Sequence, residues 1–341
     1  MPESQSQAPT PFSHFHPKLD IRPSLMQYRI AMEKSRKKKI ILWAGAGIIV
    51  LLFALFTYIP FAVMNPMVDR HVDFDEVWSA ADFGIAAEPF FVTTEDGLRI
   101  AAHEIRTDDP KAVIVCLSGI HNPSVTAFFG HARFFKEHGY ATVLFEMRAH
   151  GASAGDVICL GYKEYRDTQA VVKWIKSQAA YKDVPIVAFG LSMGGASAIN
   201  SIGEIPEIGG LISLSAYSSW QDVFVEGMSA QAPALLARIV KPFSILAASI
   251  KFGVNGWRIS PKNEIAKLGK RPALLMHSRG DSQVLFANFE RLRQRAPGHV
   301  ETFVREGDRH LITDSFTEPE KDAEYSQALL NFLEKHFPGK K

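Results

Sequence analysis

The pentapeptide Gly190-Leu191-Ser192-Met193-Gly194 contains the residue best suited to covalent chemistry. Gly-x-Ser-x-Gly is a weak signal alone, because glycine is common enough for chance matches. Its context is stronger, since the apolar run 185–189 precedes it and small residues that can begin a helix follow it. A serine on a sharp turn from strand to helix is a nucleophile elbow, which requires small neighbours. The pattern predicts Ser192 as a nucleophile, and the alternative is an ordinary serine in a glycine-rich turn.

Two further residues supply the other side chains that serine chemistry requires. Asp281 follows the apolar run 273–276, and His310 follows the run 300–304. The carboxyl ends of parallel strands form the edge of a sheet where ligands bind, so the three side chains can meet there. We predict His310 as the base that takes the proton of Ser192, because imidazole titrates near neutral pH. Asp281 would then orient the imidazole and stabilise its charged form.

The same two loops allow other interpretations. Asp281 also fits an ordinary turn residue, and Arg279-Gly280-Asp281 matches a cell-adhesion tripeptide. Asp308 is a rival acid, but it lies too close in sequence to His310 and is better suited to shaping the loop.

An oxyanion hole needs two backbone N–H donors, and one of them comes from the residue after the nucleophile. That residue is Met193. We predict Ile120 as the second donor, because it lies in the loop after the apolar run 112–117. The side chain at either position is unimportant, since the backbone donates.

The elements that position these residues follow from hydrophobic patterning. Apolar runs alternate with amphipathic segments, which predicts a mostly parallel sheet with helices on both faces. The Asp96-Gly97 turn predicts an opening hairpin, which adds antiparallel strands at one edge. The predicted strands are 90–94, 98–105, 112–117, 141–145, 185–189, 211–215, 273–276 and 300–304. The predicted helices include 127–137, 163–178 and 325–337.

Residues 40–63 form an apolar segment without a charged side chain, with Trp43 and Tyr58 near its ends. About 20 apolar residues are enough for a helix to cross a bilayer. A cleaved signal peptide would have a shorter leader and apolar stretch, with a small-residue cleavage site. A buried core helix is the other alternative, but such helices are rarely apolar on all sides. We therefore predict a retained transmembrane helix.

The charges that flank this segment predict its orientation. Basic residues precede it and acidic residues follow it, so the N-terminus should be cytoplasmic. The catalytic domain should then be extracytoplasmic, which in a bacterium is the periplasmic face of the inner membrane. We predict that residues 1–39 are a basic, largely disordered tail, and that residues 64–86 are a linker.

The composition excludes several classes of function. The formal net charge is only +2, so we expect no nucleic-acid partner. Cys116 and Cys159 are the two cysteines, too few for a disulfide framework or a four-cysteine zinc site. We expect neither a cofactor nor a metal, and the sequence predicts no oligomeric state.

Residues 87–338 resemble the α/β-hydrolase superfamily, in particular the branch of acylglycerol lipases, acyl-protein thioesterases and serine aminopeptidase-like enzymes. The segment 146–153 resembles the family's Asp-x-Arg-Gly-His-Gly-x-Ser, with Glu146 and Ala149 as departures. This segment is structural in the family. The chain has Ser118-Gly119 where the family usually has His-Gly before the oxyanion donor, so the hydrogen bonds of that loop should differ.

The resemblance implies a small helical cap at about 217–268, and much of that segment is apolar. We expect hydrolysis of a carboxylic ester or thioester in a lipid-like or acylated substrate, through an acyl-enzyme. A serine peptidase or amidase with the same triad is the first alternative, and a non-catalytic binding module is the second. The apolar cap predicts either an acyl-chain tunnel close to the membrane or two helices packed on the core.

Overall fold

The computed structural model describes residues 25–339, and within them the strands form one mixed sheet. The order is β1-β2-β4-β3-β5-β6-β7-β8, with β1 and β4 antiparallel to β2 and every later neighbour parallel. The strands are β1 Glu88–Thr93, β2 Arg99–Ile105, β3 Val113–Leu117, β4 Ala141–Phe145, β5 Ile186–Leu191, β6 Ile208–Leu214, β7 Ala273–Ser278 and β8 Glu301–Arg305. The predicted eight-stranded, mostly parallel sheet with an antiparallel edge is confirmed.

The central strands are apolar on both faces because helices cover both sides of the sheet. In β3, Val113 and Val115 pack into one hydrophobic core, whereas Ile114 and Cys116 pack into the core on the opposite face. Cys116 is a buried free thiol and acts as a small apolar side chain there.

Helices connect the parallel strands and pack on both faces. Within residues 25–339 they are α1 Leu25–Val68, α2 Phe129–Glu137, α3 Tyr165–Ser177, α4 Met193–Glu204, α5 Trp220–Ser229, α6 Ala234–Phe252, α7 Pro261–Glu264, α8 Ala287–Arg295 and α9 Ala323–His336. The predicted cap segment contains α5, α6 and α7, which follow β6 and precede β7.

The helix α1 is longer than the predicted span of 40–63. It includes one stretch that is long and apolar enough to cross a membrane, with a mean hydropathy of 2.6. Residues 25–39, which we predicted as part of a disordered tail, are helical, while residues 1–24 lie outside the described part of the chain. Methionine, leucine and lysine favour helices, and Glu33 and Lys37 form an ion pair one turn apart.

The chain divides into two compact units, and the second begins at Leu55, inside α1. The last turns of α1 therefore belong to the unit that contains the sheet. Met64 and Val68 are fully buried in its core, although we predicted a linker from residue 64. Beyond the helix, Val72 forms a bridge with His150, and its N–H donates to Ala149 at 2.8 Å.

Candidate active site

Ser192 lies between β5 and α4, on a backbone that few residues adopt. Its φ of 54° and ψ of −118° lie outside the regions that L-residues favour, and such strain concentrates at functional sites. A β-carbon at Gly190 would lie 2.2 Å from the carbonyl oxygen of Gly194. A β-carbon at Gly194 would lie 2.2 Å from the carbonyl oxygen of Ser118. The tight turn therefore requires both glycines of the predicted elbow.

Asp281 and His310 meet at the carboxyl ends of β7 and β8. His310 Nδ1 donates to Asp281 Oδ2 at 2.8 Å. The other carboxylate oxygen, Oδ1, accepts from the backbone N–H groups of Gln283 and Val284, each at 2.9 Å. The side chain of Asp281 is only 2% exposed. Three donors therefore hold the carboxylate in one orientation, which fixes the His310 ring with Nδ1 protonated and leaves Nε2 as the basic nitrogen.

The environment of Asp281 favours its charged form. Burial raises the pKa of this carboxyl, but the hydrogen bond and charge of His310 and the Val284 N–H lower it, and the net pKa is below the ordinary value. Asp281 is therefore a carboxylate near neutral pH, as the orientation of a catalytic histidine requires.

His277 is a second histidine at this site, and the sequence reasoning missed it. Its Nε2 donates to the Val284 carbonyl at 2.8 Å and lies 3.6 Å from Asp281 Oδ2. Burial lowers the pKa of His277, which keeps the ring neutral. The ring therefore fixes the loop whose N–H groups hold Asp281. Its position at the end of β7, four residues before the acid, was the available signal.

The rival acid Asp308 has another partner. Its Oδ1 accepts from the backbone N–H of Ser282 at 2.9 Å, which ties the loop after β8 to the loop after β7. Ser278 donates to the carbonyl of Arg309 at 2.9 Å and makes a second link between the same loops. These bonds keep Asp281 and His310 in register.

The loop after β3, residues 118–123, lies against the nucleophile. A β-carbon at Gly119 would be 3.7 Å from the β-carbon of Ser192, so this loop borders the reacting atom. Ser118 Oγ donates to the carbonyl of Pro123 and closes the loop on itself. The predicted donor Ile120 lies in this loop, and the predicted donor Met193 is the first residue of α4.

His121, next to Ile120, connects this loop to the helix α1. Its Nε2 donates to the carbonyl of Met67 at 2.8 Å. Met67 is in the last turn of α1, where carbonyls lack partners inside the helix. The loop 118–123 is therefore tied to the end of α1 by a side-chain hydrogen bond.

The segment after β4 makes hydrogen bonds to the residues that directly follow this loop. Glu146 Oε1 accepts from Ser124 Oγ at 2.7 Å and from the Val125 N–H at 3.2 Å. Burial raises the pKa of Glu146 to about 7, against the lowering effect of these hydrogen bonds. Arg148 is buried and pairs with Asp167 at 2.7 Å. Both side chains hold neighbouring segments of the chain together.

The topology brings Ser192, Asp281 and His310 to one edge of the sheet, because each follows a strand of the parallel portion. Among the hydrogen bonds of residues 25–339, none joins Ser192 Oγ to the His310 ring. Catalytic hydrogen bonds are often long in free enzymes and shorten when substrate binds.

Comparison with known proteins identifies the fold. Residues 108–263 match a family described as serine aminopeptidase, S33. An uncharacterized protein of Bacillus subtilis, YqkD, is 23% identical over 64% of this chain and 69% of its own length.

Solved structures are similar over most of the chain. Two crystal forms of an esterase of Pyrococcus furiosus have TM-scores of 0.62 and 0.61, with 24% and 25% identity. The alignments cover 79% and 80% of this chain and 100% and 98% of the esterase. An esterase of Exiguobacterium antarcticum has a TM-score of 0.52 at 16% identity, over 72% of this chain and 100% of that enzyme.

Proposed function

Since the chain is an α/β hydrolase by fold and its solved structural relatives include esterases, we propose that it is a membrane-anchored serine esterase. It would cleave a carboxylic ester or thioester through an acyl-enzyme. The observation that carries the proposal is the Asp281–His310 hydrogen bond, at the sheet edge where Ser192 occupies a strained elbow.

The roles follow from the geometry. His310 Nε2 takes the proton of Ser192 Oγ as the oxygen attacks the acyl carbon, and then returns it to the leaving oxygen or sulfur. Asp281 stabilises the imidazolium, since it is a buried carboxylate. The N–H groups of Met193 and Ile120 donate to the developing oxyanion, and such a donor contributes about 10²–10³ in rate. Water then attacks the acyl carbon and gives its proton to His310 Nε2. His310 returns a proton to Ser192 Oγ, which leaves and frees the carboxylic acid.

The cap favours an ester over the free amino terminus of a peptide. An aminopeptidase needs an unpaired carboxylate to bind the substrate's ammonium group. The segment 217–268 has three acidic residues, and each already pairs with a cation. Asp222 contacts Lys241 at 2.6 Å and Lys262 at 2.7 Å, Glu226 contacts Arg291 at 2.7 Å, and Glu264 contacts Lys267 at 2.6 Å.

Asp222 is the most fully paired of these three carboxylates. Burial raises its pKa, but the two lysines together with Ser218 and Ser219 lower it well below the ordinary value. A substrate ammonium would have to displace a lysine to reach it. A serine peptidase or amidase with the same triad remains the second candidate, because the matching family is described as an aminopeptidase family.

The helix α1 supports the anchor. No residue of its most apolar 18-residue window is buried within the chain, as expected of a lipid-facing helix. We propose that it retains the protein in a membrane with the N-terminus in the cytoplasm, because the basic residues lie before the stretch and the acidic ones after it. The hydrolase domain would then face the extracytoplasmic side.

The test is hydrolysis of p-nitrophenyl esters, from acetate to palmitate, by the full chain in detergent micelles. We expect turnover by the natural sequence and a loss of at least about 10³-fold in Ser192→Ala. Ser197→Ala is the matched control, because Ser197 is a buried serine on the same helix and its Oγ makes no hydrogen bond within residues 25–339. Aminoacyl p-nitroanilides are assayed in parallel. Preference for the anilides, or equal activity of Ser192→Ala and Ser197→Ala, would overturn the esterase proposal.

A further inference from the structure

An apolar cavity lies between the last turns of α1 and the first cap helix α5. Its volume is about 430 Å³, within the range of about 300–1,000 Å³ that is typical of ligand pockets. Val63 and Met67 form the α1 side, and Trp220, Phe224 and Met228 are among the residues on the α5 side. The residues that line it carry no charge. All of them belong to the compact unit that begins at Leu55.

No residue of the proposed triad lines the cavity, but two of its lining residues connect it to loops of the candidate site. Met67, which lines it, accepts the hydrogen bond from His121 of the oxyanion loop through its backbone carbonyl. Trp220, on the opposite wall, begins α5 just after the loop that follows β6. That loop also borders the nucleophile helix, since a β-carbon at Gly195 would lie 3.1 Å from the β-carbon of Ala216. Two loops of the active site therefore lead into the walls of the cavity.

A second cap helix packs against the end of α1 and exposes apolar side chains near its own start. The cap helix α6 lies along the end of α1, because Phe243 contacts Phe56 with ring centroids 5.6 Å apart and Lys251 pairs with Asp69 at 2.6 Å. At the start of α6, Leu235 is 70% exposed and Ile239 is 44% exposed. Such side chains are unfavourable in water but favourable in the acyl region of a bilayer.

We propose that this cavity binds the acyl chain of a membrane lipid ester, which enters it sideways from the bilayer with its ester group directed toward Ser192. This inference rests on the proposed function and specifies its substrate class. An acyl chain matches the uncharged walls, and the anchor helix provides part of those walls. The predicted span ends at residue 63, so Val63 would lie at the membrane surface, where a lipid chain is within reach of the cavity.

The position that tests the cavity is Gly227, which lies on α5 and lines it. A β-carbon there meets no atom within 4 Å, so the start of a larger side chain meets open space. Gly227→Phe should therefore fill the cavity. Gly298→Phe is the matched control, because Gly298 lies in the loop before β8 and its added β-carbon also meets no atom within 4 Å.

The experiment uses the full chain in phospholipid vesicles and compares p-nitrophenyl palmitate with p-nitrophenyl butyrate. We expect Gly227→Phe to lower kcat/KM for the palmitate at least about tenfold more than for the butyrate, since a blocked apolar subsite discriminates by chain length. Gly298→Phe should keep the palmitate-to-butyrate ratio of the natural sequence. An unchanged ratio in Gly227→Phe, with both esters hydrolysed, would overturn the cavity proposal and leave the esterase proposal intact.

A second measurement separates the two proposals if no ester is hydrolysed. Binding of a fluorescent C18 fatty acid is measured by titration of the same three proteins in detergent. Binding that weakens at least about tenfold in Gly227→Phe but not in Gly298→Phe supports the acyl site even when the esterase proposal fails. Equal binding by all three proteins overturns it.

Discussion

The acid–base side and the oxyanion side of the candidate site are held in different ways. Asp281 and His310 are positioned by the loops after β7 and β8, through hydrogen bonds such as that of His277 to Val284. The loop 118–123 instead depends on the end of α1, where Met67 accepts from His121. The first arrangement is internal to the hydrolase fold. The second couples the site to the helix that we propose as the membrane anchor.

The largest expected effect lies on the acid–base side. Asp281→Asn should keep the fold but destabilise the imidazolium and permit the wrong tautomer of His310, which in such triads lowers kcat by about 10⁴. Steady-state hydrolysis of a p-nitrophenyl ester measures it. Asp308→Asn is the comparison and should lose much less activity, because Asp308 accepts from the Ser282 N–H and links the two loops rather than bonding His310. A similar loss in both variants would mean that the acid has been assigned to the wrong residue.

The second prediction concerns the buried end of α1. Met64→Ala should lower the free energy of unfolding of the hydrolase unit by about 2–5 kcal/mol, because it leaves a cavity in a packed core. Met64 is fully buried, whereas Met32 on the same helix is 70% exposed. Urea unfolding of the full chain in detergent, followed by esterase activity, measures the difference. If Met64→Ala and Met32→Ala unfold at the same urea concentration, the end of α1 is not part of the core.

A smaller effect is expected from the link between α1 and the oxyanion loop. His121→Ala removes one hydrogen bond, which contributes about 0.5–1.5 kcal/mol, so kcat should fall by roughly three- to tenfold with little change in KM. His138→Ala is the matched control, since His138 also bonds a carbonyl, that of Phe134, but at the end of α2. A rise in KM without a change in kcat would assign His121 to substrate binding instead.

The smallest expected effect is a pH dependence of stability that arises from His71, which lies just after α1. His71 Nδ1 lies 2.9 Å from the Gly155 carbonyl and Nε2 lies 2.8 Å from that of Gly151, so both nitrogens donate only in the imidazolium form. The hydrogen bond to the Gly155 carbonyl has the largest effect and raises the pKa of His71. Burial lowers this pKa, whereas the hydrogen bond to Gly151 and the charges of Asp73 and Asp156 raise it. The net pKa of His71 is above its ordinary value.

Because the pKa of His71 is higher in the folded than in the unfolded protein, His71 stabilises the fold fully at a pH below its unfolded-state pKa. This stabilisation is lost as the pH rises through its folded-state pKa. His71→Ala should therefore destabilise the protein more at about pH 5.5 than at about pH 8.5. Thermal unfolding of both proteins at the two pH values measures this. A destabilisation that grows with pH would contradict the imidazolium assignment.

The parts of the molecule that follow from periodicity and turn chemistry were predictable. The eight segments predicted as strands are strands in the structure. Because β7 and β8 are neighbours in the sheet, Asp281 and His310 lie within hydrogen-bond distance of each other. The glycines on either side of Ser192 allowed the tight turn to be predicted, because only glycine fits there. The catalytic roles of these residues stay predictions.

The end of α1 was not predictable, because an apolar helix has the same pattern whether it faces lipid or protein. The dense apolar run ends at residue 63, so we predicted a linker from residue 64, yet Met64 and Val68 are core residues. His277 was missed because its position at a strand end, four residues before the acid, does not by itself indicate which group the ring bonds. Its role depends on the carbonyl of Val284, which only the folded loop places nearby.

Covalent labelling shows whether Ser192 is a nucleophile that His310 activates. The full chain is treated with a fluorophosphonate, which reacts with activated serines, and the modified peptide is identified by mass spectrometry. We expect one adduct, on Ser192, that is absent in Ser192→Ala and forms much more slowly in His310→Ala. An adduct on another serine, or equal labelling of Ser192 in His310→Ala, would contradict it.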